Sequence, residues 1–411
     1  MNNIKSFSPH ELLFDAYGRT PPVQALVRLQ TELIVMSRNF MDDITLVSRL
    51  RKAAKEAGSE LNVTGTFGGS LIAWLYGCTD VNPLPPHYRC PVCKRAVFFS
   101  DGDGWDLPTL ECCGQPLYPD GHDIPVESVL PVLECAYNSL HMRTTKAFAE
   151  RAEAIIWKHY KRQYSVIPYE EEDTDYTAMR GYVLIPAGEA PPEPNEYGVW
   201  QTNMEELYEK DYRTIRMYFS EAKEQLEKLH GRTAGEPTLD ELRVKLVMTA
   251  TEAKITELIK SEGGVLLNSD GLTFSSLLKL KGYLHSTHTD DNPVYEQEDA
   301  KLGDVFTCRE DVWHLVKKAM NPEYGISDRF AEKIMGYTRR GRFTRNRMEP
   351  ETELTLRSLG IEDRWIAQMK HTGYLPPKAD LIASLLDELK LSWYLLKTEE
   401  TSEQKEEVQN Q

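Results

Sequence analysis

The chain has 411 residues, of which 41% are hydrophobic and 27% charged, a composition typical of a soluble protein with two or three domains. Its formal net charge of −16 argues against a globally basic nucleic-acid-binding protein, and no apolar run approaches the roughly 18 residues that span a bilayer. Residues 1–11 lack the basic and then apolar pattern of an export signal, so we expect a cytoplasmic protein with no membrane partner.

The first predicted elements are two helices. Residues 22–40 place apolar side chains on one side at spacings of three and four, which predicts that this side faces the core. These side chains are Val23, Leu26, Val27, Leu33 and Ile34. The second helix is predicted to end near Lys55. It carries Arg49, Arg51, Lys52 and Lys55, for which a solvated face is the preferred interpretation and a binding patch the alternative.

A short strand, a glycine-rich turn and a helix start follow. The strand is predicted at residues 61–63, the turn at 64–70 and the helix at 70–76. Unpaired N–H groups and the helix dipole then point at one spot, which makes a candidate anion site. Its candidate phosphate-binding residues are Gly65, Thr66, Gly68 and Ser70. The alternative is a glycine turn that only redirects the chain.

Two close cysteine pairs come next. Cys90 and Cys93 are spaced C-x-x-C, and Cys112 and Cys113 are adjacent. Four thiolates satisfy a tetrahedral ion such as zinc and leave no open position, which is typical of a structural site. The residues between the pairs are rich in Gly and Asp and are too polar to form a core alone. The pattern therefore predicts a structural zinc site, with a redox pair or free core thiols as the alternative.

The rest of the chain is predicted to be mainly helical. Helices are expected at residues 144–163, 203–230 and 238–260, and over most of residues 304–395. The residues from Thr398 onward are polar and are expected to be disordered.

Residues 329–347 hold seven basic residues against the single acid Glu332, and we name them the basic island. In so acidic a chain they are the best candidate for contacts with nucleic-acid phosphates. Phe343 lies between two arginines and is positioned in the sequence to stack on a base. The candidate DNA-binding residues are Arg339, Arg340, Arg342, Arg345 and Arg347. A solvated loop is the alternative.

Several of these segments together resemble one protein family. The run VNPLPPHYRCPVCK, followed by DLP and GHDIP, resembles the zinc-bearing segment of bacterial DNA polymerase III alpha subunits of the PolC type. The turn at residues 65–70 resembles the family's phosphate-binding motif, and weaker matches follow in family order between Cys308 and Ala379. The resemblance implies a role in DNA replication, with primer-template DNA or replisome proteins as partners.

The resemblance also implies catalytic carboxylates that this chain does not reproduce. The family carries a proline–aspartate–isoleucine–aspartate run after the cysteine segment, and aspartates at alternate strand positions share two divalent ions in nucleotidyl transfer. Here Val132 replaces the first aspartate and Glu134 the second, while Asp270 is the loosely matched third carboxylate. Thr64 stands where the family has an arginine before the first glycine, which removes a phosphate contact.

The predicted fold is α+β, with a polymerase-type palm, an inserted zinc ribbon and a mainly helical, fingers-like C-terminal region. The predicted units are an N-terminal palm portion at 1–78, the ribbon at 79–130, a degenerate palm with helical replacement at 131–300, the fingers-like region at 301–397 and the tail at 398–411.

Three functions remain open. The preferred one is a reduced, catalytically impaired PolC-like protein that binds DNA or the replisome, because the alkyl side chain of Val132 cannot ligate a metal. The second is an active DNA-directed DNA polymerase that uses Glu134 and Asp270. The third is an unrelated, zinc-stabilised interaction module. Zinc is the expected structural cofactor, and magnesium is required only if the chain is active.

Overall fold

The computed structural model describes residues 8–134, 139–172, 178–189, 212–230, 237, 239–242, 273–289, 302–320 and 328–409. The described helices are α1 (Pro9–Tyr17), α2 (Val23–Val35), α3 (Arg38–Glu56), α4 (Leu71–Leu75), α5 (Leu130–Leu133), α6 (Lys146–Tyr160), α7 (Glu221–His230), α8 (Leu239–Leu242), α9 (Phe274–His285), α10 (Arg309–Ala319), α11 (Asp328–Thr338), α12 (Arg342–Asn346), α13 (Pro350–Ser358), α14 (Asp363–His371) and α15 (Lys378–Gln409).

The described strands are β1 (Leu61–Val63), β2 (His87–Arg89), β3 (Ala96–Phe98), β4 (Glu111–Cys112), β5 (Gln115–Pro116), β6 (Tyr118–Asp120), β7 (Ser139–Thr144), β8 (Tyr164–Glu172), β9 (Ala178–Pro186), β10 (Arg213–Phe219), β11 (Thr287–His288) and β12 (Thr372–Tyr374). This mixture of helices and sheets confirms the α+β class. Among the described residues, none of the helices combines the length and the apolar run that crossing a bilayer requires.

The largest sheet has the strand order β1-β7-β10-β9-β8. Strands β7 and β10 run parallel, and the other neighbouring pairs are antiparallel. One face packs on α3 and α6, where Leu140, Met142, Ile215 and Met217 join the core. The opposite face, which we call the far face, carries Ser139, His141 and Arg143 from β7 together with Thr214, Arg216 and Tyr218 from β10.

The strands between His87 and Asp120 form two small sheets, and we call residues 79–130, which contain them, the ribbon. Its strands make a three-stranded sheet in the order β3-β2-β6 and a two-stranded β4-β5 sheet. The ribbon packs on elements from both halves of the chain. The side chains of His87 in β2 and Tyr17 in α1 form a hydrogen bond of 3.0 Å. The ring of Trp105 lies against that of Phe274 in α9.

The long helix α15 contacts each of these parts. Lys378 donates to the carbonyl of His122 in the ribbon, and Ala379 packs beside the buried Gly68. Further along the helix, the Asp387 carboxylate accepts hydrogen bonds from Asn62 of β1 at 2.9 and 3.0 Å. This helix therefore joins the ribbon, the glycine turn and the sheet.

The structure corrects three predictions. Residues 213–219 form β10 in the interior of the sheet, whereas the sequence analysis expects a continuous helix over 203–230, of which 203–211 lie outside the described residues. The sequence RTIRMYF is rich in β-branched and aromatic residues, and pairing with β7 and β9 outweighs its helical periodicity.

The second correction concerns α2, which buries Ala25, Leu29 and Glu32 while Val23 and Ile34 are 66% and 83% exposed. The buried side also carries the ion pair between Arg28 and Glu32. The third is the C-terminal tail, because α15 continues to Gln409. Its Glu, Gln and Lys residues are good helix formers, and the segment contains no Gly or Pro.

Candidate metal centre and far-face site

The four predicted zinc ligands meet at one point of the ribbon. The sulfur atoms of Cys90, Cys93, Cys112 and Cys113 all lie within 4.8 Å of one another. The Cys93–Cys112 and Cys112–Cys113 sulfur separations are 3.9 and 3.7 Å. A tetrahedral ion with zinc–sulfur bonds of about 2.3 Å places its ligand sulfurs about 3.8 Å apart. The cluster therefore has the dimensions of a four-thiolate zinc site.

Two tight turns bring the sulfurs together. Lys94 follows the first pair with φ of 61°, and its N–H donates to the Cys90 carbonyl at 3.0 Å. Cys113 itself adopts φ of 55°, and Gly114 after it adopts φ of 70°. Left-handed backbone at non-glycine residues is uncommon and strained, so a bound ion would offset that strain.

The thiols also perturb one another. The N–H of Cys93 stabilises the Cys90 thiolate and lowers the pKa of Cys90 to about 6. The neighbouring Cys113 thiol raises the pKa of Cys112 to about 12. A metal ion requires all four ligands as thiolates, so loading would release protons from this cluster.

The far face of the sheet is polar and largely cationic. Ser139 Oγ lies 2.6 Å from Nε2 of His141 and accepts a hydrogen bond from the Thr214 hydroxyl at 2.7 Å. Arg143 pairs with Asp380 of α15 at 3.0 Å. Burial, reinforced by the charge of Arg216, lowers the pKa of His141 to about 4, so this imidazole is neutral at pH 7.

The structure does not place the predicted catalytic carboxylates on this face. Residues 130–133 form the short helix α5 instead of a strand, and Glu134 is its exposed C-terminal cap. Burial, with the charges of Glu127 and Glu134, raises the pKa of Glu332, so Glu134 lies near other acids. Asp270 lies outside the described residues. The strand that follows the ribbon is β7, and its alternation Ser-Leu-His-Met-Arg-Thr was the available sequence signal for it.

The glycine turn forms a 3₁₀ helix over Gly65–Gly69, followed by α4. The N-terminus of α4 already holds an internal carboxylate. Glu32 of α2 is fully buried and accepts hydrogen bonds from the Ser70 hydroxyl at 2.6 Å and from the N–H groups of Leu71 and Ile72 at 2.8 and 3.0 Å. Arg28 pairs with the same carboxylate at 2.6 Å. The predicted phosphate ligand Ser70 is therefore engaged by Glu32.

The other predicted phosphate-binding residues of the turn differ in how far they are exposed to solvent. Gly68 is buried, while Gly65 and Thr66 are half-buried. Arg309 at the start of α10 donates to the Thr66 hydroxyl at 3.1 Å and to the Ser128 carbonyl at 2.9 Å. Phosphate binding at this turn stays a prediction. Neither Glu32 nor Arg309 has a local sequence signal that would have indicated these contacts, since both act across long chain separations.

The basic island presents its arginines at the end of α11 and on α12. Arg340, Arg342, Arg345 and Arg347 are exposed, and Arg339 is half-buried. The Arg342 guanidinium lies 4.5 Å from the ring centroid of Tyr337. DNA binding by these residues stays a prediction. In contrast, Phe343 is 5% exposed and belongs to the core between the helices, so the expectation that it stacks on a base is wrong.

Comparisons with known proteins agree with the resemblance. No family model matches the chain. Curated relatives named DNA polymerase III PolC-type match it from Thermotoga petrophila (23% identical over 93% of the chain), Lacticaseibacillus paracasei (26% over 94%) and Bacillus subtilis (26% over 92%). The matched region is 33%, 31% and 31% of these relatives, so the chain spans about a third of their length. The chain is therefore a PolC-like protein, similar over more than nine-tenths of its length to part of a PolC-type DNA polymerase III.

Proposed function

We propose that this chain is a PolC-like replication protein that binds DNA or replisome proteins and does not carry out nucleotidyl transfer. The observation that supports this is the composition of the far face. Strand β7 presents Ser139, His141 and Arg143 at alternate positions, where two-ion catalysis needs carboxylates.

The charge of this face opposes the binding of two divalent ions. Magnesium prefers oxygen ligands in a near-octahedral arrangement, and its affinity depends on neighbouring negative charge. Arg216 places positive charge on the face, Arg143 already holds the Asp380 carboxylate in an ion pair, and the neutral His141 adds no negative charge. We therefore propose that magnesium is not a resident cofactor.

The carboxylates that α15 brings to the sheet are already engaged. Asp380 pairs with Arg143 at 3.0 Å. Asp387 accepts from Asn62 and pairs at 3.0 Å with Lys223, a side chain with no exposed area. Breaking such a buried pair to free a metal ligand would cost about 3–5 kcal/mol. These acids therefore support a scaffold role in which they hold α15 to the sheet.

In this proposal the ribbon binds one structural zinc ion through Cys90, Cys93, Cys112 and Cys113, and the sheet acts as a polymerase-type palm without catalysis. The fingers-like helices carry the basic island. Primer-template DNA is the preferred partner, because four exposed arginines lie within a short stretch of an otherwise acidic chain. The similarity to proteins named DNA polymerase III PolC-type supports a cytoplasmic location.

Primer extension tests the catalytic part of the proposal. The purified chain, with its zinc content measured, is mixed with primer-template, all four deoxynucleotides and magnesium or manganese. We expect extension at background. Template-directed extension that co-elutes with the chain would instead establish an active polymerase, and its loss in Glu134→Ala would assign Glu134 to catalysis.

A separate experiment tests DNA binding. Reversing Arg340, Arg342 and Arg345 to Glu should abolish binding to primer-template, and binding by the unchanged chain should weaken steeply with salt. The matched control reverses Arg151, Lys158 and Arg162, which are exposed on α6 or just after it. Equal loss in both variants would mean that only net charge matters, and binding retained in the first would assign the island to the solvated surface.

A further inference from the structure

A groove with largely apolar walls lies between helix α2, the ribbon and α10. It has a volume of about 270 Å³, which holds one or two large side chains and is smaller than the usual site for a whole small molecule. The far-face residues and the arginines of the basic island, all of them described, do not line it. Its apolar lining includes Val27, Leu84, Ile124, Pro125, Val126 and Trp313.

Helix α2 carries an exposed apolar stripe beside this groove. Val23, Val27 and Ile34 are 66%, 55% and 83% exposed. At about 100° per residue these three side chains point within about 40° of one another, so they form one face, which we call the α2 ridge. From its first to its last residue the ridge extends about 16 Å along the helix, or about three turns.

The α2 ridge is a second apolar face on a helix that already buries one. Ala25 and Leu29 lie on the opposite side of α2 and are fully buried in the core. A surface helix usually has one apolar stripe toward the core and a polar face toward solvent. A contiguous apolar face that stays exposed among the described residues is typical of a protein–protein contact, whereas single exposed apolar residues are ordinary.

The groove next to the ridge is rigid and formed in advance. Leu84 and Ile124 are 1% and 2% exposed and contribute to its base. The two ribbon segments that carry them are joined by backbone hydrogen bonds, from Asp123 N–H to the Leu84 carbonyl at 3.0 Å and from Ile124 N–H to the Pro83 carbonyl at 2.9 Å. The half-buried Trp313 of α10 completes the lining. A groove that needs no reordering loses little free energy when a side chain enters it.

The charged side chains of the groove leave negative charge for a ligand to match. Asp123 and Glu127 line it and are half-buried. The cation in the lining, Arg28, is engaged within the protein, because it pairs with the buried Glu32 at 2.6 Å and donates to the carbonyls of Gly69 and Ile124. Glu127 forms no ion pair with any described residue, so its charge faces the groove unmatched.

More negative charge surrounds Glu127. Burial and the charges of Glu127 and Glu134 raise the pKa of Glu332, and Arg329 offsets only part of that effect. His314 also offsets part of the charge of Asp123 when it is protonated, but its Nε2 lies 3.7 Å from the carboxylate, too far for a hydrogen bond. The side chain that best complements this edge of the groove is therefore a cation on an otherwise apolar ligand.

We propose that the α2 ridge and this groove form a docking site for a basic amphipathic helix of a partner protein. Its apolar side chains pack on Val23, Val27 and Ile34, one large apolar side chain enters the groove, and Lys or Arg side chains face Asp123 and Glu127. Binding of an amphipathic helix in a groove is a recurrent mode of recognition. A second copy of this chain fits less well, because two chains of net charge −16 repel each other.

A pair of synthetic helices tests the proposal. The first is an alanine-rich peptide of about 15 residues, long enough to form a helix, with leucines along one face and lysines beside them. The second has glutamate in place of every lysine. Calorimetry measures the affinity of each peptide for the whole chain. We expect the lysine peptide to bind about tenfold more tightly or better, and its binding to weaken as salt is added, because complementary charge favours the first peptide.

Variants of the chain locate the site. Val27→Glu should weaken binding of the lysine peptide about tenfold or more, because it puts a charge into the centre of an apolar contact. Glu127→Lys should weaken the lysine peptide and strengthen the glutamate peptide. Leu354→Glu is the matched control, since Leu354 is 67% exposed on α13 and does not line the groove, and it should change neither affinity. Circular dichroism checks that each variant is folded.

Four results would overturn the proposal. Neither peptide binds, or both bind equally well. Val27→Glu and Glu127→Lys bind the lysine peptide as the unchanged chain does. Leu354→Glu loses binding as Val27→Glu does, which would indicate contact with any apolar surface. Sedimentation shows that the unchanged chain self-associates and that Val27→Glu abolishes this, which would assign the α2 ridge to a second copy.

Discussion

The ribbon and the far face of the sheet both collect polar side chains, but the charges are balanced differently in the two places. In the ribbon, four cysteine sulfurs face one another, and as thiolates they would repel strongly without a cation between them. At the far face, the partners are within the protein: Arg143 pairs with Asp380, and beside this face Lys223 of α7 pairs with Asp387. Negative side chains that have no cationic partner in the protein are typical of a metal site. Charged side chains that already form ion pairs with each other are typical of a structural scaffold.

The largest expected effect comes from removing one ribbon ligand. Cys90→Ser should abolish metal binding and unfold the ribbon, because structural zinc contributes about 10–16 kcal/mol in small zinc-dependent folds. Elemental analysis and thiol titration of the purified protein measure this directly. Cys308→Ser is the control, since Cys308 is the N-cap of α10 and serine is a good cap. An unchanged chain without metal and with four freely titrating thiols would contradict the zinc site.

The next prediction tests whether the acids of the far face are structural. Asp387→Ala leaves the fully buried Lys223 without its closest carboxylate and should destabilise the chain by about 3–5 kcal/mol. Asp380→Ala, which breaks the more exposed pair with Arg143, should cost about 1 kcal/mol or less. Chemical denaturation measures both values. Equal and small costs would mean that α15 is held to the sheet by apolar packing alone.

Glycine substitutions compare how tightly the ribbon and the large sheet are packed. A Cβ at Gly104 in the ribbon would overlap the backbone carbonyl of Asp120, whereas a Cβ at Gly181 in β9 would meet the ring of Tyr169. Backbone cannot move aside as a side chain can, so Gly104→Ala should cost about 3 kcal/mol and Gly181→Ala about 1 kcal/mol. Thermal unfolding of the two variants measures which substitution costs more stability. A larger cost for Gly181→Ala would contradict the rigid packing of the ribbon.

The smallest expected effect is on the stability of the chain at acidic pH. Burial opposes ionisation of Asp103, but the adjacent His122 outweighs it, and the pKa of Asp103 is lowered in the folded chain. The stability this carboxylate contributes is therefore present above its unfolded pKa of about 3.9 and is lost as the pH falls through the folded value. Asp103→Asn should make the melting temperature less dependent on pH between about 5 and 3. An unchanged dependence would assign the acid response to other carboxylates.

The sequence predicts the ribbon better than it predicts the far face, for a physical reason. Cys90 and Cys93 lie on one turn and Cys112 and Cys113 on another, so local spacing brings each pair of sulfurs together and only the meeting of the two turns depends on packing. By contrast, β10 acquires its strand identity from pairing with β7, which lies about 75 residues earlier in the chain. Local periodicity there favours a helix, and propensity is a weak guide when tertiary pairing decides.

The same distinction explains the errors at individual residues. Arg342 and Arg345 are exposed as expected, but the intervening Phe343 turns into the core. Likewise, the buried Glu32 binds the N-terminus of α4 from 38 to 40 residues away, and no pattern around it indicates that contact. A sequence motif indicates which residues belong to one segment. Packing determines which of those residues reach solvent.

The hydrogen bond between Asn62 and Asp387 has a consequence for the order of events during synthesis. The two residues are 325 positions apart, so at typical rates of about 5–20 residues per second the second one is made roughly 15–65 s after the first. Until α15 leaves the ribosome, β1 and α7 carry Asn62 and Lys223 without their main partner. This part of the sheet is therefore completed only after α15 has been synthesised.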